Sequence, residues 1–241
     1  MPLNSPIDAR HGAGILPVMK HLLMILVAFS LCLPVAAQDK GKRLPTDFKS
    51  LKALAEKGDA RAQNQLGYMY DNGRGVQKDD REAVAWFRKA ALQGHASAQI
   101  NLGLMYAEGE GVPQDDKEAV AWYRKAALQG NANAQYNLGV RYEKGRGVEK
   151  DFKEAVAWYR KAALQGEAMA QYNLGVMYYK GQGVLEDYVA AYAWLNLAAA
   201  NGDALAMKNK PLIAKLMTAE QIAKAQELSR EMLKKNPKLL K

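Results

Sequence analysis

The 241-residue sequence predicts an all-α protein, an α/α solenoid of four helix-turn-helix repeats. The first observation is a set of glycines spaced 36 residues apart, at Gly58, Gly94, Gly130, Gly166 and Gly202. The second is that the same pattern of apolar and polar residues is written four times between them, each time with two segments of helical periodicity. A fixed period of this size is typical of a stacked array, in which each unit packs on its neighbours.

The first 37 residues are predicted to be a secretion signal. A basic start at Met19-Lys20-His21 precedes an apolar run over 22–33, and the small residues Val35 and Ala37 suit signal peptidase. The run is far shorter than the roughly 20 residues that a membrane-spanning helix needs. We expect cleavage after Ala37 and a periplasmic or secreted protein without stable membrane insertion. Translation from Met19 is favoured over translation from Met1, because residues 1–18 lack the character of a signal segment.

The rest of the chain divides into a linker with an N-terminal capping helix, the repeats, and a C-terminal cap. The predicted bounds are 38–58 for the first part, 59–94, 95–130, 131–166 and 167–202 for the repeats, and 203–241 for the last part. A lone helix is expected from Thr46 to Lys57. In the C-terminal part we expect a partial helix from Ala204 to Met217, containing Pro211, and a final helix N-capped by Thr218. Terminal helices with polar outer sides are expected to shield the ends of the array.

The first helix of each repeat, helix A, carries a glycine in its interior, Gly67 in the first repeat. Glycine costs up to about 1 kcal/mol there relative to alanine. Its recurrence in every repeat predicts that a partner helix approaches closely. Gly73 and Gly75 predict the end of helix A and a tight turn, because glycine tolerates positive φ. A phosphate-binding loop is disfavoured, since no strand precedes this Gly-x-Gly.

The second helix, helix B, is predicted to begin with a capping box in three repeats, in which an N-cap aspartate and a glutamate three residues later bond each other's backbone N–H groups. The pairs are Asp79/Glu82, Asp115/Glu118 and Asp151/Glu154. The aromatic pair Trp86-Phe87 and its equivalents are expected to fill the space opposite the small residues of helix A.

The repeated motif resembles that of the Sel1-like repeat family, a relative of the tetratricopeptide repeat. It reads Ala62-Gln63-x-x-Leu66-Gly67-x-Met69-Tyr70, Gly73-x-Gly75-Val76, Asp79 and Glu82-Ala83-Val84-Ala85-Trp86-Phe87-Arg88-Lys89-Ala90-Ala91. The resemblance implies a superhelix like that of tetratricopeptide proteins, with helix A lining the concave face. It also implies the role of a protein-interaction adaptor, and bacterial members of the family are often exported.

Few residues are available for chemistry. After residue 37 the chain has one histidine, His95, and no cysteine, because Cys32 lies in the signal. Zinc sites of the usual nitrogen and sulfur type and Cys-His catalysis are therefore excluded, and a Ser-His-Asp set has no serine beside a plausible histidine. We predict no catalytic residue, metal site or cofactor. A cysteine-rich branch of the resembled family is described as acting on β-lactams, but the paired cysteines and a Ser-x-x-Lys motif are missing here.

The positive net charge of the chain makes an anionic ligand an alternative to a protein partner. The net charge is +9, or +8 without residues 1–37, where Lys+Arg falls from 34 to 32 and Asp+Glu from 25 to 24. Export argues against nucleic acid, whereas an anionic envelope polymer remains a candidate ligand. It would bind a stripe on the convex face of helix B, the basic stripe, made of Arg88, Arg124, Arg160, Lys89, Lys125 and Lys161.

Three columns of helix A residues are the candidate surface for a protein or peptide partner. The asparagine column holds Gln65, Asn101, Asn137 and Asn173; the mixed column holds Asn64, Ile100, Tyr136 and Tyr172; the outer column holds Tyr68, Leu104, Val140 and Val176. Amides both donate and accept hydrogen bonds, so the asparagine column suits an extended peptide backbone. A role in stacking adjacent repeats stays open for the asparagines and for the tyrosines.

Overall fold

Eleven α-helices and one short 3₁₀ helix lie within residues 43–240, the part of the chain that the structure, a computed structural model, describes. The predicted signal, its start and its cleavage site lie outside these residues. The helices are α1 (Phe48–Glu56), α2 (Ala60–Asn72), α3 (Asp80–Leu92), α4 (Ala96–Glu108), α5 (Asp116–Leu128), α6 (Ala132–Lys144), α7 (Phe152–Ala163), α8 (Ala168–Lys180), α9 (Tyr188–Ala200), α10 (Ala204–Ala214) and α11 (Ala219–Lys235), followed by the 3₁₀ helix Pro237–Leu239.

Each helix of the array packs mainly on the helices that precede and follow it in the sequence. Helices α2, α4, α6 and α8 are the helices A of repeats one to four, and α3, α5, α7 and α9 are the helices B. No strand occurs in the described part of the chain. The predicted all-α solenoid is therefore confirmed.

The glycine inside helix A allows the close approach that its recurrence predicts. A Cβ atom added to Gly67 would lie 2.7 Å from ring carbons of Phe87 in helix B of the same repeat. Gly103 and Gly139 face Tyr123 and Tyr159 at the same distance. Because these rings are almost fully buried, even a methyl group on helix A would push the two helices apart.

The predicted capping boxes of helix B are only half formed. The Asp79 side chain accepts hydrogen bonds from the backbone N–H groups of Arg81 and Glu82, as a cap should. The return bond from the glutamate is absent, because the backbone N–H of Asp79 donates instead to the carbonyl of Tyr70 at 3.0 Å. The backbone N–H that was expected to donate to the glutamate is thus used within the turn between the helices.

A buried row of glutamines, the glutamine ladder, connects each repeat to the one before it. The Gln63 side chain donates to the carbonyl of Ala55 at 3.0 Å and accepts from Gln93 at 2.7 Å. The ladder consists of Gln63, Gln99, Gln135 and Gln171, which are at most 5% exposed. Each amide joins one helix A to the C-terminal ends of the helix B before it and the helix B after it. No such role follows from the sequence pattern alone.

The two ends of the array are closed differently. At the N-terminus, α1 forms as expected, with Asp47 as its N-cap and Leu51 fully buried. At the C-terminus, Thr218 and Gln221 complete both halves of a capping box at the start of α11. Yet α11 packs on α9 and does not cover α10. The expected polar outer side is therefore wrong for α10, which leaves more than half of Leu205, Met207 and Leu212 exposed.

The side of α9 that receives α11 differs in sequence from the same side of the other helices B. Asn196 and Leu197 stand where the third repeat has Arg160 and Lys161. Leu197 is 1% exposed, and the amide of Asn196 donates to the Ser229 hydroxyl of α11 at 3.2 Å. The basic stripe thus ends where the terminal helix docks.

The second glycine of each turn has two different surroundings. Gly75 and Gly147 both have positive φ, 71° and 73°. A Cβ atom on Gly147 would collide with the backbone carbonyl of Asp116 at the start of α5, whereas one on Gly75 meets only the flexible end of Met69. The two positions therefore separate the cost of the backbone conformation from the cost of the close approach between repeats.

We predict that Gly147→Ala lowers the free energy of unfolding by about 3 kcal/mol or more. Gly75→Ala should cost only about 1–2 kcal/mol, because it meets the left-handed conformation alone. Urea unfolding followed by circular dichroism measures both. Equal losses in the two variants would show that the contact with Asp116 contributes nothing to stability.

Candidate partner-binding surface

The three predicted columns lie side by side along consecutive helices A. The structure brings all nine candidate residues to this surface, where Ile100, Asn101, Tyr136, Asn137, Val140, Tyr172, Asn173 and Val176 are partly buried and Leu104 is 47% exposed. We call it the helix A surface. Each residue of the asparagine column faces the mixed-column residue of the repeat before it. The two residues of such a pair are 37 positions apart in the sequence.

Hydrogen bonds between repeats use most of the asparagine column. The Asn101 amide donates to Asn64 at 3.1 Å, and Asn209, which continues the column into α10, donates to the Tyr172 hydroxyl at 2.8 Å. The Asn173 amide lies beside the hydroxyls of Tyr136 and Tyr159. These side chains therefore stabilise the stacking of helices A.

The row of hydrogen bonds is interrupted between repeats two and three. The residue that Asn137 faces is Ile100, which has no polar side-chain atom. Within the described residues the Asn137 side chain makes no hydrogen bond, so its amide keeps its full donor and acceptor capacity. Leu104 and Val140 lie one helical turn further along the same two helices. We call Ile100, Leu104, Asn137 and Val140 the helix A patch.

Tyr136 is held by the interior of the array. Its ring centre lies 6.0 Å from that of Tyr159, and the Tyr159 hydroxyl donates to the Glu143 carboxylate. Burial raises the pKa of both tyrosines, and the hydrogen bond to the neighbouring Glu143 raises the pKa of Tyr159 further. Both hydroxyls therefore stay neutral and act in this cluster as hydrogen-bonding groups.

The cations of the basic stripe are exposed, but each rests on an aromatic ring or hydroxyl. Arg88 donates to the Tyr106 hydroxyl of the next repeat at 2.6 Å, and the Lys89 ammonium lies 3.7 Å from the centre of the Trp86 ring. The next two repeats repeat both contacts. The charges of the stripe are thus held in a fixed row. Part of the hydrogen-bonding and cation–π capacity of these side chains is already used by contacts within the chain.

Charges in the turns also pair between repeats. Arg141 of the third repeat forms an ion pair with Asp116 of the second, and the Arg141 side chain is only 11% exposed. This ion pair joins helix A of the third repeat to the start of helix B of the second.

The remaining features offer little chemistry. His95 serves as the N-cap of α4, where its Nδ1 accepts from the backbone N–H of Ala98 at 3.2 Å. A cavity of about 630 Å³ lies at the last turn, lined by residues that include Tyr178, Leu185 and Gln221. Across residues 43–240 no group of three or more potential metal ligands occurs. Nor does that part of the chain hold a helix with the length and apolar character to cross a membrane.

Comparison with known proteins identifies the repeat. The model of the family described as Sel1 repeat matches residues 60–95, 96–131, 132–167 and 168–203. The chain belongs to the Sel1 repeat family. Sel1 repeat proteins generally mediate protein–protein interactions, and most are scaffolds without enzymatic activity. No curated protein matches the chain.

Solved structures of other Sel1 repeat proteins are similar. A Sel1 repeat protein from Oxalobacter formigenes is 37% identical, over 76% of this chain and 78% of that one, with a TM-score of 0.66. A protective antigen of uropathogenic Escherichia coli with an SLR fold is 34% identical, over 80% of this chain and 49% of that one, with a TM-score of 0.53. The chain thus spans about half the length of that antigen. Cysteine-rich protein B of Helicobacter pylori is 31% identical over 36% of this chain and 65% of that one, with a TM-score of 0.35.

We predict that Asn173→Ala destabilises the array by about 1–3 kcal/mol, because the partly buried hydroxyls of Tyr136 and Tyr159 lose the amide beside them. Asn137→Ala should change the free energy of unfolding by less than about 0.5 kcal/mol. Thermal and urea unfolding of the two variants measure the difference. A large loss for Asn137→Ala would assign its side chain to stacking and remove it from the binding patch.

A second prediction concerns pH. Burial lowers the pKa of His95 below 6.5; Arg61 lowers it further and Asp59 opposes the shift. The unfolded chain therefore takes up the proton at higher pH than the folded chain, and the stabilisation by neutral His95 is present above pH 6.5 and lost as pH falls through the folded pKa. The free energy of unfolding of the chain from Gln38, measured from pH 7.5 to 5, should fall more steeply than that of His95→Asn.

Asparagine is a suitable replacement because Asn131 caps α6 in the same way, accepting from Ala134 at 3.1 Å without titrating. Parallel curves for the wild type and His95→Asn between pH 7.5 and 5 would contradict the assignment.

Proposed function

We propose that this chain is an exported scaffold that binds a protein or peptide partner on the concave surface of its helices A. The observation that carries the proposal is the Asn137 amide, which makes no hydrogen bond within residues 43–240, faces Ile100 and lies one helical turn from the exposed Leu104. A peptide backbone offers both a donor and an acceptor to such an amide. Export is proposed from the signal-like segment at residues 1–37.

The centre of the proposed contact is the helix A patch. Leu104 is 47% exposed, whereas the other leucine of the same helix, Leu102, is fully buried. Together with Ile100 and Val140, Leu104 forms a contiguous apolar patch around Asn137, and such patches mark interaction sites more often than single exposed leucines do. Four further candidates flank the patch and take part in contacts between repeats: Asn101, Tyr136, Tyr172 and Asn173. Val176 extends the patch toward the fourth repeat.

A second candidate ligand is an anionic envelope polymer bound by the basic stripe. The favouring observation is that three arginines and three lysines are held in place at the 36-residue period by tyrosine hydroxyls and tryptophan rings. A row of fixed charges suits a repeating polyanion. Such binding would weaken steeply with salt. No observation on the described residues favours the β-lactam-interacting enzyme.

The test is affinity capture from a periplasmic extract with the chain from Gln38 and with its Leu104→Ala/Asn137→Ala variant. We expect the variant to lose about tenfold or more of a specific captured protein, because a central apolar anchor and its amide are removed. Its melting temperature should stay close to that of the wild type. The matched control is Leu185→Ala/Gln77→Ala, which truncates an exposed leucine and an exposed amide in turns outside the patch.

Two results would overturn the helix A proposal. One is equal capture by the variant and the wild type. The other is retention of polyanions alone, lost on raising the salt concentration and unaffected by the variant, which would favour the basic stripe instead.

A further inference from the structure

The C-terminal segment of the chain occupies a groove at the end of the array. The Asn236 amide donates to the carbonyl of Leu164 at 2.7 Å, at the C-cap of α7. Further along, the carbonyl of Leu239 accepts from Gln171 at 2.8 Å and from Asn201 at 2.7 Å. We call residues 236–240 the tail segment, and the site bounded by Leu164, Gln171 and Asn201 the tail groove.

The groove binds a side chain as well as a carbonyl. Leu239 is 1% exposed and belongs to the same buried cluster as Trp194 and Leu197 of α9. The tail segment also shields its surroundings, because Leu164 is 41% exposed whereas Leu92 and Leu128 at the same position of earlier repeats are 71% and 72% exposed. Gln171 is fully buried for the same reason.

Two equivalent grooves along the array have no tail segment in them. We call them the open grooves; one is bounded by Leu92, Gln99 and Gln129, the other by Leu128, Gln135 and Gln165. Each is one or two repeat periods away from the tail groove, and each has the same pair of hydrogen-bonded amides at its base.

The amide pair of each open groove has spare donors. In the tail groove, the Gln171 amide donates to Ala163 and to Leu239. In the open grooves, Gln99 and Gln135 keep the first of these bonds, to the preceding helix B, and find no acceptor for the second N–H within residues 43–240. Their partner amides, Gln129 and Gln165, donate to the side chains of Gln99 and Gln135 at 2.7 and 2.8 Å, and otherwise make only long contacts with the carbonyls of Lys125 and Lys161 at 3.5 and 3.4 Å. In each open groove the second N–H of the buried glutamine, Gln99 or Gln135, can thus donate to one more carbonyl.

The open grooves differ from the tail groove in charge. Lys125 and Lys161 stand where the tail groove has Leu197, and each ammonium lies over a tryptophan ring, at 3.8 and 3.9 Å from its centre. The tail segment carries Lys238, so a second copy's tail would bring like charges together. A segment with a carboxylate would instead pair with the lysine.

We propose that the two open grooves bind a leucine-containing segment of a partner protein that carries an acidic residue beside the leucine. The peptide carbonyl accepts from the glutamine pair, the leucine packs against exposed Leu92 or Leu128, and the carboxylate pairs with Lys125 or Lys161. This binding surface is separate from the helix A surface and goes beyond the function proposed above.

The test uses labelled peptides derived from the tail segment and the chain from Gln38. Fluorescence polarisation should show saturable binding of Asn-Pro-Glu-Leu-Leu, and weaker binding of Asn-Pro-Lys-Leu-Leu and Asn-Pro-Glu-Ala-Ala. In the Lys125→Glu/Lys161→Glu variant the preference should reverse, with affinity for the glutamate peptide falling about fivefold to tenfold and that for the lysine peptide rising. The control, Lys117→Glu/Lys153→Glu, makes the same charge change at the far ends of the same helices.

A second variant tests the leucine contact without entering the core. Leu92→Ser/Leu128→Ser alters two side chains that are more than 70% exposed, so the fold should be retained while the affinity for Asn-Pro-Glu-Leu-Leu falls. The proposal is overturned if no peptide binds saturably, if the alanine peptide binds as well as the leucine peptide, or if the lysine peptide binds the wild type equally well. None of these variants alters the helix A patch, so the two proposals fail independently.

Discussion

The glutamine ladder is the constraint on which the rest of the array depends. Each buried amide donates to the end of one helix B, accepts from the end of the next, and sits on the helix A between them. An amide with one of these partners missing would leave a buried polar group unsatisfied, at a cost of about 1–3 kcal/mol. The hydrogen bonds therefore hold three successive helices in one register, and apolar packing fills the space that this register defines.

From that register the two surfaces acquire different properties. On the helix A surface, side chains of adjacent repeats come close enough for Asn101 to reach Asn64, so most polar groups are used internally. On the helix B surface, the C-terminal ends stand apart and leave grooves with the ladder at their base. The tail segment shows that such a groove can take a backbone carbonyl and a leucine side chain.

Much of this architecture follows from the sequence because it depends on local rules and on the period. The 36-residue spacing, the glycine opposite an aromatic ring and the αL glycine ending helix A each need only knowledge of one repeat. The missing half of the capping box does not follow, because the donor of Asp79 is taken by Tyr70 through the particular path of the turn. The capping-box pattern considers only the two side chains, whereas a backbone carbonyl, here that of Tyr70, can accept from the same N–H.

Contacts between repeats were harder to predict than contacts within one. The asparagine column looks uniform in sequence, yet Asn137 differs from Asn173 because the residue it faces in the preceding repeat is an isoleucine. The same holds for α11, whose docking on α9 depends on two substitutions in another helix, and for the tail segment, which finds its partners 68 and 72 residues away. Periodicity alone does not reveal which member of a column lacks a partner.

The change from Arg160-Lys161 to Asn196-Leu197 means that the residues that end the array, by receiving the terminal helix, belong to the fourth repeat itself. The terminal helix docks on α9 of the fourth repeat, and its C-cap Asn236 donates to the carbonyl of Leu164 at the end of the third repeat. Insertion or loss of a whole 36-residue repeat before the third repeat would leave these contacts of the terminal helix unchanged. The array can therefore change its length, and with it the number of open grooves, without having to evolve a new end.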